Sequence, residues 1–145
     1  MTYNGTYNVN GNKLRLYRLH KDRINVESYA SNHEISRYER SVLARLRCGS
    51  LPLQVEVGRY TKIPLDQIIC TLCQAGTIED VVHFLVECKF YDDQRYEMFN
   101  VVSNDFTCFN ELPALIRFIL LMHTQSVSLL CKMVTNMFNR RKRHI

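Results

Sequence analysis

The chain has 145 residues, 46% hydrophobic and 23% charged, with five Gly, three Pro, six Cys and no Trp. That length suits one domain with a core of its own, and the composition excludes collagen-like, linker-like and wholly disordered chains. The net charge of +5 conceals a partition: residues 1–62 hold eleven Lys/Arg against five Asp/Glu, residues 63–110 two against eight, and residues 111–145 six against one.

An acidic centre between basic flanks favours nucleic acid or another anionic surface, although an ordinary solvated face carries charge equally well. No apolar run approaches the roughly 18 residues of a membrane span, because Arg117 and Lys132 interrupt the most apolar stretch. The polar start, Met-Thr-Tyr-Asn-Gly-Thr, lacks a signal-peptide h-region. The expected location is intracellular, nuclear and/or cytoplasmic, with no membrane partner.

In chain order, residues 1–12 lack apolar periodicity and are expected to be disordered. Residues 13–24 are ambiguous between strand and helix, with a lean to helix. Ser31-x-x-Glu34 has the form of a capping box. After it Ile35, Tyr38, Val42, Leu43 and Leu46 share a helical face, and Gly49 ends the run. At ~100° per residue, Arg37, Arg40 and Arg47 fall together on the opposite side. Leu51, Leu53, Val55 and Val57 alternate and predict a short strand, with a loop through Ile63-Pro64. Thr77-x-x-Asp80 opens a helix through Val81, Val82, Phe84 and Leu85, and another is expected from about Tyr91 to Val102. Asn110 is placed to cap a helix with Pro113 in its first turn. Val127, Leu130, Cys131, Val134, Met137 and Phe138 follow helical spacing in the last one. The block Arg140-Arg141-Lys142-Arg143-His144 reads equally as an import signal, a phosphate-binding arm or a cation-rich helix C-terminus.

Spacing decides the chemistry of the cysteines. Cys70 and Cys73 form a C-x2-C pair; nine intervening residues lead to His83 and four more to Cys88. Zinc takes four N/S ligands in a tetrahedron, and a C-x2-C turn offers two of them. On a regular helix His83 and Cys88, five apart, point ~140° away from each other. They converge only if the helix ends or unwinds before Cys88. Asp80, one turn before His83, is placed to accept the unused imidazole N–H. With all four positions filled by side chains, the zinc is expected to be structural and to contribute of order 10 kcal/mol to local folding. Cys48, Cys108 and Cys131 carry no such pattern. No phosphate-cradling Gly loop, nucleophile elbow or H-E-x-x-H pair is present, and a zinc hydrolase would need an open ligand position and a general base.

The fold class predicted is mainly α: one small helical domain over 13–139, with a short strand and loop segment and a CCHC zinc-stapled hairpin-helix at 66–95. A disordered segment, 1–12, precedes it and a basic tail, 140–145, follows.

Several spaced motifs together resemble one family. They are Ser41-Val-Leu-Ala-Arg-Leu-Arg-Cys-Gly49, Leu51-Pro-Leu-Gln-Val-Glu-Val-Gly-Arg-Tyr60, Ile63-Pro64, Cys70-x2-Cys73, Glu79-Asp80, His83-Phe-Leu-x2-Cys88 and Tyr91-Asp-Asp-x-Arg95. In this order they resemble the zinc-binding C-terminal region of reverse transcriptases from animal non-LTR retrotransposons, over about residues 13–140. One departure is Gln67-Ile68, where relatives often carry an acidic-basic pair. The resemblance implies a part downstream of the polymerase that helps engage template RNA or target DNA, without polymerase activity of its own. Phe90-Tyr91-Asp92-Asp93 matches a polymerase-palm string, but it follows a zinc ligand by two residues at a helix start, where Asp92 and Asp93 suit the helix dipole.

The expected function is therefore a non-catalytic zinc module that binds RNA or DNA largely without regard to sequence. Phosphate contacts are assigned to Arg37, Arg40, Arg47, Arg59, Lys62, Arg140, Arg141, Lys142 and Arg143. Neutralising about five phosphates makes log K fall with log salt at a slope of about −4 to −5. The alternative is a zinc-stabilised scaffold that docks a protein, including the polymerase body of a retroelement protein.

Overall fold

The computed structural model describes Tyr29 and residues 32–144. The expectations for residues 1–12 and 13–24, and for Ser31, fall outside the described residues, as do the side chains of Arg59 and Tyr60. The first helix, α1 (Arg37–Arg47), is capped by Ser36, not by Ser31. Ser36 Oγ accepts the Glu39 N–H at 3.1 Å and donates to Glu39 Oε1 at 3.0 Å, so the cap motif lies five residues beyond the expected one. Asn32 makes the earlier turn by accepting the Glu34 N–H on Oδ1. At the far end the chain turns through Gly49 at φ 69°. The Gly49 N–H reaches Leu46 O and the Ser50 N–H reaches Arg45 O, the paired bonds of a Schellman stop.

The strand expected over Leu51–Val57 is instead a helix, α2 (Gln54–Thr61). Leu51 and Leu53 are buried ahead of it, but Val57, which alternation would place on their side, is 40% exposed. No local side chain caps α2; the Gln54 N–H is accepted by Glu79 Oε1 at 2.7 Å, from 25 residues away. A tertiary contact thus overrides the local alternation. The β pairing among the described residues is a single antiparallel bridge, Ile69 to Ile78.

Three further α-helices complete the described fold: α3 (Asp92–Asp105), α4 (Ala114–Met122) and α5 (Val127–His144). Asp92 and Asp93 sit in the first turn of α3, and Pro113 immediately precedes α4. Helix α5 lies between α1 and α3, and α4 packs on the segment around His83. Phe84, Tyr91, Phe109, Phe118, Leu121 and Met137 are wholly buried in one shared core. The fold is mainly helical, and among the described residues no helix is long and apolar enough to cross a membrane. The basic block at 140–144 is the last turn of α5.

Candidate metal centre

Two short pieces of backbone build the site. The first runs from the Ile69–Ile78 bridge through a tight loop, where the Cys70 N–H bonds Thr77 O at 2.8 Å. Gln74 at φ 57° and Gly76 at φ 72° turn the chain back; left-handed backbone of this kind suits Gly and is tolerated by few other residues. The second piece begins at Asp80, whose Oδ1 accepts the His83 N–H at 2.7 Å and starts the helical turn. From His83 to Glu87 that turn is a π-helix, closed by the Cys88 N–H on His83 O at 2.8 Å.

The π turn answers the geometric objection raised by the sequence. Its bonds span five residues instead of four, so His83 and Cys88 come round to one face. Unwinding before Cys88, a condition for convergence, takes this form. The carbonyls displaced from the normal ladder find a partner in Arg95, which is itself buried. Its Nε donates to Leu85 O at 2.7 Å, Nη2 to Phe84 O at 3.0 Å and Nη1 to Asp92 Oδ1 at 3.0 Å.

The ligand atoms of Cys70, Cys73, His83 and Cys88 all lie within 4.8 Å of one another. Cys70 Sγ is 3.8 Å from Cys88 Sγ, and Cys73 Sγ is 3.4 Å from His83 Nε2. Cys70, His83 and Cys88 are buried and Cys73 is half-buried. The cluster can hold one metal ion. No protein family, curated protein or solved structure matches the chain.

Burial dominates the electrostatics of the ligands. It raises the Cys70 thiol, pushes Cys88 up to about 12 and lowers His83, so the imidazole stays neutral and offers a lone pair. A metal ion held on Nε2, the nitrogen turned to Cys73, would leave the ring proton on Nδ1, where Thr77 Oγ1 lies at 3.2 Å. Thr77 therefore does the orienting that the sequence assigned to Asp80. Asp80 is engaged one step earlier, at the His83 backbone N–H, because it sits at the helix cap and not one turn inside it. Orienting partners of this type are worth about tenfold or more in metal affinity. Thr77→Val is accordingly expected to weaken metal binding about tenfold in a chelator competition, with the fold unchanged by circular dichroism.

The remaining thiols lie apart from this cluster: Cys131 is wholly buried and pushed up to about 11 by burial, Cys48 is half-buried and Cys108 exposed. The cations assigned to phosphate whose side chains are described divide into three groups by burial. Arg37, Lys62, Lys142 and Arg143 are exposed, while Arg40 and Arg140 are half-buried. Arg40 donates to Asn32 O, Arg140 stacks 4.4 Å over the Phe90 ring, and Lys142 donates to Tyr38 Oη at 3.0 Å. Arg47 and Arg141 are buried and face inward, which corrects their assignment as phosphate contacts. Arg47 donates to Met122 O at 2.9 Å; on the helical wheel it lies only ~40° from Leu43, at the edge of the apolar face. Arg141 pairs with Glu79. Sequence reasoning missed Glu79, Thr77 and Arg95 as parts of the site, although all three fall within the motifs singled out there.

Proposed function

We propose that the chain is a non-catalytic zinc-binding module that binds nucleic acid through its basic faces, as its resemblance to the C-terminal region of non-LTR retrotransposon reverse transcriptases implies. Ligand spacing carries the zinc part. Bonds of about 2.3 Å to sulfur and 2.0 Å to nitrogen in a tetrahedron put two sulfurs about 3.8 Å apart and sulfur and nitrogen about 3.5 Å apart. The separations of 3.8 Å between Cys70 and Cys88 and 3.4 Å between Cys73 and His83 support that reading. Three thiolates with an imidazole suit zinc and disfavour the oxygen-seeking cations. Four protein ligands leave no position for an activated water, so the ion's work is to hold the Cys70–Cys73 loop and the π turn together.

The nucleic-acid part is supported by the exposed cations on α1 and α5, two helices that pack side by side. Lys142 of α5 donates to the hydroxyl of Tyr38 of α1 at 3.0 Å, and the half-exposed Tyr38 ring supports base stacking as an added contact. Phosphate contacts of this kind give affinity for RNA or DNA with little sequence preference. Exposed Tyr96, Phe106 and Ile116 support the second reading, a scaffold that docks a protein such as a polymerase body.

Metal analysis of the purified chain tests the first part, with about one zinc per chain expected and a cobalt-substituted form showing a tetrahedral thiolate spectrum. A salt series with duplex DNA tests the second. With Arg47 and Arg141 withdrawn, about four phosphates remain to be neutralised, and the expected log–log slope is about −3 to −4. A flat response rejects nucleic-acid binding and leaves the zinc result standing.

A further inference from the structure

Behind Cys70 lies a second buried polar cluster that metal ligation alone does not explain. Glu79 is 1% exposed and Arg141 6% exposed. Arg141 donates Nη2 to Glu79 Oε1 at 2.6 Å and Nε to Oε2 at 3.3 Å, a two-pronged pairing across 62 residues of chain. The same carboxylate accepts the Gln54 N–H at the start of α2, and its Oε2 lies 3.9 Å from Cys70 Sγ. One side chain therefore touches a metal ligand, the first residue of α2 and the last turn of α5. The Tyr91 hydroxyl is buried nearby without a hydrogen-bond partner, within electrostatic reach of Glu79, Arg141, Cys70 and Cys88. On the exit side of the centre Phe90, two residues past Cys88, packs under Arg140 and edge-on to His144 at 5.1 Å.

We propose that Arg141 is the counter-charge of the metal centre, held in place by Glu79, so that loading of the ion and docking of the last turn of α5 form one coupled equilibrium. The proposal rests on the reading of Cys70, Cys73, His83 and Cys88 as a metal site. Three thiolates around a dication carry one net negative charge. Glu79 places a second buried anion against one of those sulfurs, and buried like charges persist only with a cation paired to one of them. Arg141 supplies that cation, and its planar fork satisfies both carboxylate oxygens at once. Coupling of this kind is reciprocal: whatever Arg141 adds to metal affinity, the metal adds to the docking of Arg141. The basic turn is then a positioned element whose exposed members, Lys142 and Arg143, are presented only while the centre is loaded.

Charge variants of the full chain separate this role from a merely structural one. Arg141→Met strands the Glu79 carboxylate beside the cluster and should weaken zinc binding by about 10–100-fold in a chelator competition. Glu79→Gln combined with Arg141→Met removes both charges and should restore most of that loss. Equal weakness in the single and double variants would overturn the proposal, because the unpaired Glu79 charge would then not be what weakens zinc binding. In wild-type protein, stripping zinc with a chelator should raise amide exchange at residues 139–144, a readout that stands even if Arg141→Met fails to fold. Unchanged exchange in a chain that demonstrably binds zinc would also overturn the proposal, with the metal reading intact. A wild-type chain that takes up no zinc would remove the metal reading, and the coupling with it.

Discussion

Cys88→Ala is expected to abolish stoichiometric metal binding and to lower the melting temperature by about 15 °C. Cys88 is the candidate ligand that would join the π turn to the Cys70–Cys73 loop, with its sulfur 3.8 Å from that of Cys70 and its side chain buried. Structural zinc contributes of order 10 kcal/mol in small finger peptides, where metal and folding are inseparable. Here a helical core that includes Phe118, Leu121 and Met137 stands beside the site, so part of the fold is expected to survive removal of the ion. A loss of about 4 kcal/mol is the expected remainder, which corresponds to roughly 15 °C for a domain of this size. The check is a melting series with and without chelator, alongside metal analysis. Wild type should fall to the Cys88→Ala melting point when chelated, while the variant should not respond. Cys108→Ser, at an exposed thiol, should match wild type in both. A wild-type melt indifferent to a strong chelator would refute the metal centre.

Arg95→Met should destabilise the fold by about 2–5 kcal/mol, far more than removal of any exposed cation. The guanidinium is buried and donates to the carbonyls of both Phe84 and Leu85, two acceptors that the π turn leaves without their usual amide partners. A buried acceptor deprived of its donor costs about 1–3 kcal/mol, and Met fills the volume while supplying none. Arg95→Lys retains the charge but presents a point donor in place of a fork, so it should recover about half of the loss. Chemical denaturation at constant zinc measures both variants. Arg143→Ala, on an exposed side chain, should stay within about 0.5 kcal/mol of wild type. A similarly small effect for Arg95→Met would mean that the π turn needs no external donor.

Much of this arrangement was legible in the residues, and the parts that were not share a physical cause. The helices over 37–47, 114–122 and 127–144 follow from apolar spacing, the helix over 92–105 lies close to the one expected from Tyr91 to Val102, and Gly49 and Pro113 mark boundaries that lie close to the observed ones. The ligand set follows from the spacing of Cys70, Cys73, His83 and Cys88, and the need for an unwound turn between the last two follows from helix geometry. What local pattern could not supply is the partner from far along the chain. Gln54 starts a helix because Glu79 accepts its N–H, and nothing in the alternation of Leu51, Leu53, Val55 and Val57 announces that. Arg141 looks like one member of a solvated cationic block until Glu79 is seen beside it. Two serines, Ser31 and Ser36, each precede a glutamate by three residues, and the local pattern alone does not choose between them.

The bulged ladder between His83 and Cys88 also sets which changes of length this segment can absorb. Shortened by one residue, it would close an ordinary turn with imidazole and thiol still only ~40° apart around the axis. Lengthened by one, it would leave them ~120° apart, and no single bulge would bring them back. Deletions here should therefore be far better tolerated than insertions, and natural variants of the segment should drift toward brevity.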